Sequence, residues 1–256
     1  MGLKDDFVTS LAEFIGTTYF IFIGLGGSDA IAAFAGKSLG DIKLFATAFS
    51  FGWSLMINVW LWNHISGGVL NPAITIALMF TDDQELRTRR GIFYIIAQFA
   101  GAILGSLLVK LFVPAPIAAL TTLSNGTTIL QGLVIEIITT SLLTLTVYIL
   151  AINERGGFVA AFGIGTSVLI SVLVAGPYTG ASLNPARTLG PAIVAGKFSG
   201  DIWIYFVGPI IGSLLAATFH TYFKRNFDGL HLERDIDLDR ENLDREHLDG
   251  EHIDKD

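Results

Sequence analysis

Cysteine is absent from all 256 residues, which excludes disulfides, thiol catalysis and thiolate metal sites. Charge is scarce as well: Asp, Glu, Lys and Arg make up 15% of the chain against 52% hydrophobic residues, and mean hydropathy is +0.60. Stretches of roughly 20 residues pass with few or no charges, the length a helix needs to cross a bilayer and not the composition of a soluble core. Lys and Arg are missing altogether from residues 114–128. The first apolar stretch also lacks the net positive flank of a cleavable leader, since Lys4 is followed by Asp5 and Asp6 and Glu13 stands in its middle. It is expected to remain in the mature protein.

What is present is a set of six apolar runs, 7–28, 44–62, 91–113, 129–152, 158–176 and 202–223. Two shorter ones, 71–80 and 184–195, are each about half a bilayer in length and read as re-entrant half-helices. The fold class is therefore an all-α membrane protein with six transmembrane helices and two re-entrant half-helices. Arg87, Arg89, Arg90, Arg155 and Lys224-Arg225 flank the spans on one side, opposite the uncharged 114–128 link. This places both termini in the cytoplasm. Asn125-Gly126-Thr127 then falls outside and matches a glycosylation acceptor, although Asn-Gly is equally a turn signal.

The two short pieces belong to one repeated phrase, HISGGVLNPAIT at 64–75 and PYTGASLNPART at 177–188. LAEFIGTT at 11–18 is echoed by VIEIITT at 134–140, aligning Glu13 with Glu136, and GAILGSLL at 101–108 by GPIIGSLL at 208–215. Repeat one covers about 7–113 and repeat two about 129–223 of a channel domain at 7–223, preceded by a short N-terminus at 1–6. Three spans plus a half-helix is an odd number of crossings per half, so the second copy enters the membrane inverted. The half-helices then meet N-terminus to N-terminus at the midplane. Gly101/Gly105 and Gly208/Gly212 have the spacing that allows close helix approach.

In each box the proline suits the first helical turn and the asparagine the cap: Asn71, Pro72 and Ala73 in the first, Asn184, Pro185 and Ala186 in the second. Two helix N-termini and two amides facing one point make a donor-only, positive centre. Water must offer its oxygen there, which breaks a proton relay and repels cations. Carbonyls of Gly67, Gly68 and Val69, and of Gly180, Ala181 and Ser182, are expected to line the path, because irregular backbone at membrane depth is tolerated where it lines a cavity. Glu13 and Glu136 are read as acceptors for the backbone N–H groups of the two loops, a proton relay being the competing reading. Arg187 has no acidic neighbour in sequence and is expected to face water, while Lys110 at a span end is expected to snorkel. His64 opens the first phrase either as a vestibule or gating residue or as a hydrogen-bonded structural histidine.

Two NPA boxes, the second extended to NPAR, with HISG and YTG before them and a glutamate in the first and fourth spans, resemble the major intrinsic proteins, the aquaporins and aquaglyceroporins. The resemblance covers residues 7–223. It implies a right-handed six-span bundle assembled as a homotetramer with one pore per subunit, no catalytic residues, no cofactor and no metal. By family correspondence the constriction falls on Phe51, Val172, Ala181 and Arg187. Strict water channels of the family usually carry histidine where Val172 stands. Glycerol facilitators pair a glycine with a second aromatic at these places and have aspartate where Thr188 stands. Tyr205-Phe206 resembles the water channels.

Residues 224–256 differ from everything before them. Twelve acids and six bases surround a five-residue repeat carrying Leu238, Leu243, Leu248 and Ile253. A period of five turns each apolar residue about 140° from the last on a helix, so no stripe forms and a solvated, disordered tail is expected. His247 and His252 within it offer at most a weak metal site, since spaced histidines without a fold are usually nothing. The whole reading is a passive channel for water and small uncharged solutes, in contact with lipid and not with nucleic acid. A proton-coupled carrier would bring a titratable group to the midplane, where this chain has two asparagines. A poorly conducting structural protein is the third class. The membrane expected is the plasma or vacuolar membrane of a eukaryotic cell.

Overall fold

A computed structural model describes residues 2–34, 40–80, 86, 88–152 and 157–226. Arg87, Arg155 and the tail beyond residue 226, with its pentad repeat and two histidines, lie outside the described residues. The order is α1 (Leu3–Phe34), α2 (Gly40–Ser66), α3 (Pro72–Phe80), α4 (Thr88–Phe112), α5 (Ile129–Val147, continued by a π turn at Tyr148–Ile152), α6 (Phe158–Thr179), α7 (Pro185–Ala195) and α8 (Ile204–Asn226). Six of these are long and apolar enough to cross a membrane, and α3 and α7 are the two short ones. There is no strand among the described residues.

α1 and α2 overrun at both ends the apolar runs that predict them, 7–28 and 44–62. α1 starts four residues before the run because Asp6, only 2% exposed, is gripped by Arg89 Nε at 2.7 Å and Arg90 Nε at 2.9 Å. That pair of bonds fastens the first turns of α1 to the first turn of α4. α5 begins at a capping box, in which the Thr128 hydroxyl accepts from Gln131 N–H and the Gln131 side chain accepts from Thr128 N–H.

Packing repeats between the halves through glycine. α1 lies on α4, and a Cβ on Gly105 would stand 2.6 Å from the Thr18 carbonyl oxygen. The equivalent α8 residue Gly212 would set its Cβ against the Ile137 carbonyl oxygen on α5. A second crossing, between α2 and α6, has no sequence signature: Gly52 and Gly165 each face the other's carbonyl, at 2.8 and 2.6 Å from their would-be Cβ atoms. α7 packs on α4 and touches α3. Contacts divide the chain into Met1–Ala217 and Thr218–Asp256. Within the described part of the second unit the Phe219 and Phe223 rings lie 4.3 Å apart.

Candidate functional site: a central channel

Each half-helix is preceded by a backbone held in an unusual conformation. Gly67, Gly68 and Leu70 have φ of 90°, 59° and 51°, and their counterparts Gly180, Ala181 and Leu183 have 76°, 52° and 54°. Leucine and alanine reach this left-handed region at a cost of about 1–2 kcal/mol each, so the surroundings must impose it. They do so through the two buried glutamates. Glu13 accepts from Val69 N–H at 3.0 Å, Leu70 N–H at 2.7 Å, the Ser66 hydroxyl at 2.6 Å and Gln98 Nε2 at 2.7 Å. Glu136 accepts from Ser182 N–H at 2.9 Å, Leu183 N–H at 2.8 Å and the Thr179 hydroxyl at 2.7 Å. In each half both carboxylate oxygens receive a donor from the loop, which gives both glutamates a structural task.

The twist turns the leucine carbonyls toward the opposite half. Asn71 Nδ2 donates to Leu183 O at 2.8 Å and Asn184 Nδ2 donates to Leu70 O at 2.8 Å. The Asn71 Oδ1 accepts from Ala73 N–H at 3.0 Å, and the Asn184 Oδ1 from Ala186 N–H at 2.9 Å. Each asparagine thus caps its own half-helix and ties it to the other, which uses one of its two amide hydrogens. Pro72 and Pro185 occupy the first helical position, where their missing N–H costs nothing. Pro72, Ala73, Pro185 and Ala186 are all buried, and none of them is among the residues lining the cavity.

The central cavity has about 40 Å³ open to water, room for a short single file given that one water needs about 10–15 Å³. Asn71, Asn184, Gly67, Gly68, Val69, Ala181 and Ser182 line it, together with Phe51, Val172 and Arg187. An apolar wall of Ile164, Val168 and Val172 from α6, with Leu143 and Val147 from α5, completes it. Arg187 also lines a wider vestibule of about 430 Å³ that includes Lys43, Ala119 and Gly180, so it stands where the narrow cavity and the vestibule meet.

Two expectations change in the structure. Arg187 does not simply face water: it is 2% exposed, donating from Nη1 to Ala119 O at 2.9 Å and from Nη2 to Gly180 O at 3.3 Å, with Cζ 4.4 Å from the Phe51 ring centroid. The Gly180 carbonyl is therefore engaged by Arg187, and Gly180 lines the vestibule rather than the narrow cavity. Lys110, exposed at its span end, donates to Val194 O at 3.0 Å, placing a cation on the C-terminal turn of α7. His64 is exposed at the end of α2 and is not among the residues lining the cavity. Asn125 and Gly126, with φ of 53° and 73°, form a tight turn closed by Thr127 N–H on Ser124 O, and the Asn125 amide donates to Pro177 O at 2.6 Å.

The halves are not equal. Gln98 bridges Glu13 and the Thr75 hydroxyl, at 2.7 and 2.9 Å, whereas Tyr205 stands at the matching place in the second repeat with its hydroxyl buried and unpaired. Thr188, the counterpart of Thr75, pairs instead with Ser182 at 2.7 Å and Thr121 at 3.0 Å. Sequence reading missed the parts played by Gln98, Asp6 and Asp29. Asp29 is 1% exposed and accepts from the N–H groups of Ala118 and Ala119 at 3.0 and 2.9 Å. Its partners are backbone groups some ninety positions away, which no motif encodes; the one available signal was an acid at the edge of an apolar run.

The sequence profile of the family described as major intrinsic protein matches residues 4–220. This chain belongs to the major intrinsic protein family. Aquaporin-1 of Rhizophagus irregularis is 52% identical over 218 residues, 84% of this chain and 78% of that protein. The probable aquaporin-5 of Gibberella zeae is 39% identical over 87% of this chain, which spans only 43% of that longer protein. Among solved structures, the X-ray structure of the aquaglyceroporin from Plasmodium falciparum superposes with a TM-score of 0.72 over 88% of this chain and 98% of its own, at 24% identity, a likeness of fold alone. Major intrinsic proteins are passive membrane channels and not enzymes, and this member is accordingly an integral membrane channel.

Proposed function

We propose that this channel conducts water, together with small neutral solutes such as hydrogen peroxide, and excludes protons and ions. The observation that carries the reading is the meeting of α3 and α7 at Asn71 and Asn184 inside a cavity of about 40 Å³. The two capped N-termini present positive helix ends to the same short file of water. The amide hydrogens not used between the halves are donors, so a passing water accepts there and turns its own hydrogens outward in both directions. Phe51, Val172, Ala181 and Arg187 form the selectivity filter in this reading, with Arg187 adding a fixed positive charge that no carboxylate among the described residues touches directly.

A glycerol or urea facilitator is the second reading, favoured by the small Ala181 and the apolar Val172 on the cavity wall. The narrowness of the file favours water. The working unit is a homotetramer in the bilayer with a pore in each subunit, both termini cytoplasmic, 1–6 and 224–256 flanking the channel domain at 7–223, in the plasma or a vacuolar membrane. The Asn125 turn lies outside, open to glycosylation on an exposed side chain.

Reconstitution of the purified full chain into proteoliposomes tests this. Osmotic shrinkage should show fast water flow with no proton flux on a trapped pH dye and slow glycerol entry. Arg187→Val should admit measurable leakage. Proton conductance by the unaltered protein would overturn the mechanism; fast glycerol entry would move the assignment to the facilitators, and absence of any flux would move it to a structural role.

A further inference from the structure

We infer that Asp29 is a positioning residue for the constriction, holding Arg187 in place through the backbone of Ala119 and thereby setting solute discrimination. The inference rests on the assignment of Arg187 to the selectivity filter.

Arg187 comes from α7, but half of its hold comes from a link that belongs to no helix. Nη1 donates to Ala119 O at 2.9 Å. The link from 113 to 128 has little regular structure of its own, so the position of that carbonyl depends on what fixes Ala119. One carboxylate oxygen does so: Asp29 Oδ1 accepts from both Ala118 N–H and Ala119 N–H. Both bonds have ordinary hydrogen-bond length, 3.0 and 2.9 Å, and converge on that single oxygen. Ala119 is thus gripped on two sides, its N–H by Asp29 and its carbonyl by the guanidinium.

Asp29 has no other evident task. It is 1% exposed, makes no ion pair among the described residues, and its Oδ2 is buried without a hydrogen-bond partner. A buried carboxylate that leaves one oxygen unpaired is costly to keep, which argues that the two bonds it does make matter. The neighbouring Ser28 hydroxyl meets the Thr47 hydroxyl at 2.6 Å and fixes this end of α1 to α2. Earlier in the same helix, Phe20 meets the Phe51 ring edge-on at 5.9 Å, and Gly24 lies against that ring so closely that a Cβ would come within 2.5 Å of it. One helix therefore places both bulky sides of the constriction, Phe51 by packing and Arg187 through Asp29. The indirect route has a chemical reason. A carboxylate in contact with the guanidinium would cancel the charge that repels cations, whereas two carbonyls orient it and leave it positive.

The experiment compares water and glycerol permeability of full-length Asp29→Ala, Asp29→Asn, Arg187→Val and Asp29→Ala/Arg187→Val in proteoliposomes, normalised to the amount of folded protein inserted. Asp29→Ala should raise the glycerol-to-water ratio by about tenfold, the effect of roughly 1.4 kcal/mol of barrier difference, with Asp29→Asn shifting it less in the same direction. The double variant should match Arg187→Val alone, because two changes acting through one group are not additive. A loss of both fluxes at an unchanged ratio, or a shift that adds in full to that of Arg187→Val, overturns the inference. If Asp29→Ala does not assemble, Asp29→Asn decides: a raised ratio, abolished in the Arg187→Val background, supports it and an unchanged ratio overturns it. Arg187→Val leaving the ratio unchanged would instead overturn the filter assignment itself.

Discussion

Val172 reaches the cavity as a buried, apolar side chain that offers a passing solute no hydrogen bond. Val172→His should add a polar donor and narrow the passage, lowering peroxide and glycerol flux about tenfold more than water flux, a difference of ~1.4 kcal/mol in barrier; stopped-flow assays on one preparation measure it. Equal loss for all solutes would indicate misfolding rather than selectivity. Ala181 is the other small member. With no cysteine in the chain, conduction should resist mercurials, and Ala181→Cys should make it sensitive and reversible by thiol. At this scale the asparagines, the arginine and the glutamates were readable because each is a polar residue in an apolar phrase that occurs twice. Asp29 was not, since its partners are peptide groups that leave no mark in side-chain pattern.

The half-helices depend on carboxylates more than on their own sequence. Glu136 receives Ser182 N–H on one oxygen and Leu183 N–H on the other, so Glu136→Gln would set an NH₂ against a backbone N–H. A neutral amide can accept from only one of the two loop groups. The substitution should cost about 2–3 kcal/mol, the value of a charged hydrogen bond lost plus a donor left unmet, and should appear as a lowered unfolding temperature in detergent with water conduction much reduced. Among the long elements, existence and number followed from length and hydropathy. Their ends did not, since α1 runs outward to Leu3 through the bonds between Asp6 and two arginines of α4. The Gly52–Gly165 crossing stayed hidden too, because each glycine contributes alone from its helix and only their encounter in space makes a motif.

For the molecule as a whole, the inverted repeat was visible in the paired phrases, while its inequality was not: Gln98 and Tyr205 occupy matching places with different chemistry. The acidic tail carries almost all of the net charge of −7, and its five-residue period is one that would set no apolar stripe on a helix. Truncation after Arg225 should therefore leave permeability per channel and the oligomeric state unchanged, as measured by proteoliposome flux and size-exclusion light scattering; a smaller assembly would show that the tail packs. The reciprocal bonds between Asn71 and Leu183 and between Asn184 and Leu70 also impose an order in time. The first re-entrant loop is made long before its partner, which lies 112 residues downstream. At about 5–20 residues per second of synthesis, Asn71 and the Leu70 carbonyl wait on the order of 6–20 s without their native partners in a setting where unmet polar groups are costly. The first half of the nascent chain must spend that interval unfinished, kept wet or held by the insertion machinery, and the channel closes around its midplane only when the second NPA box arrives.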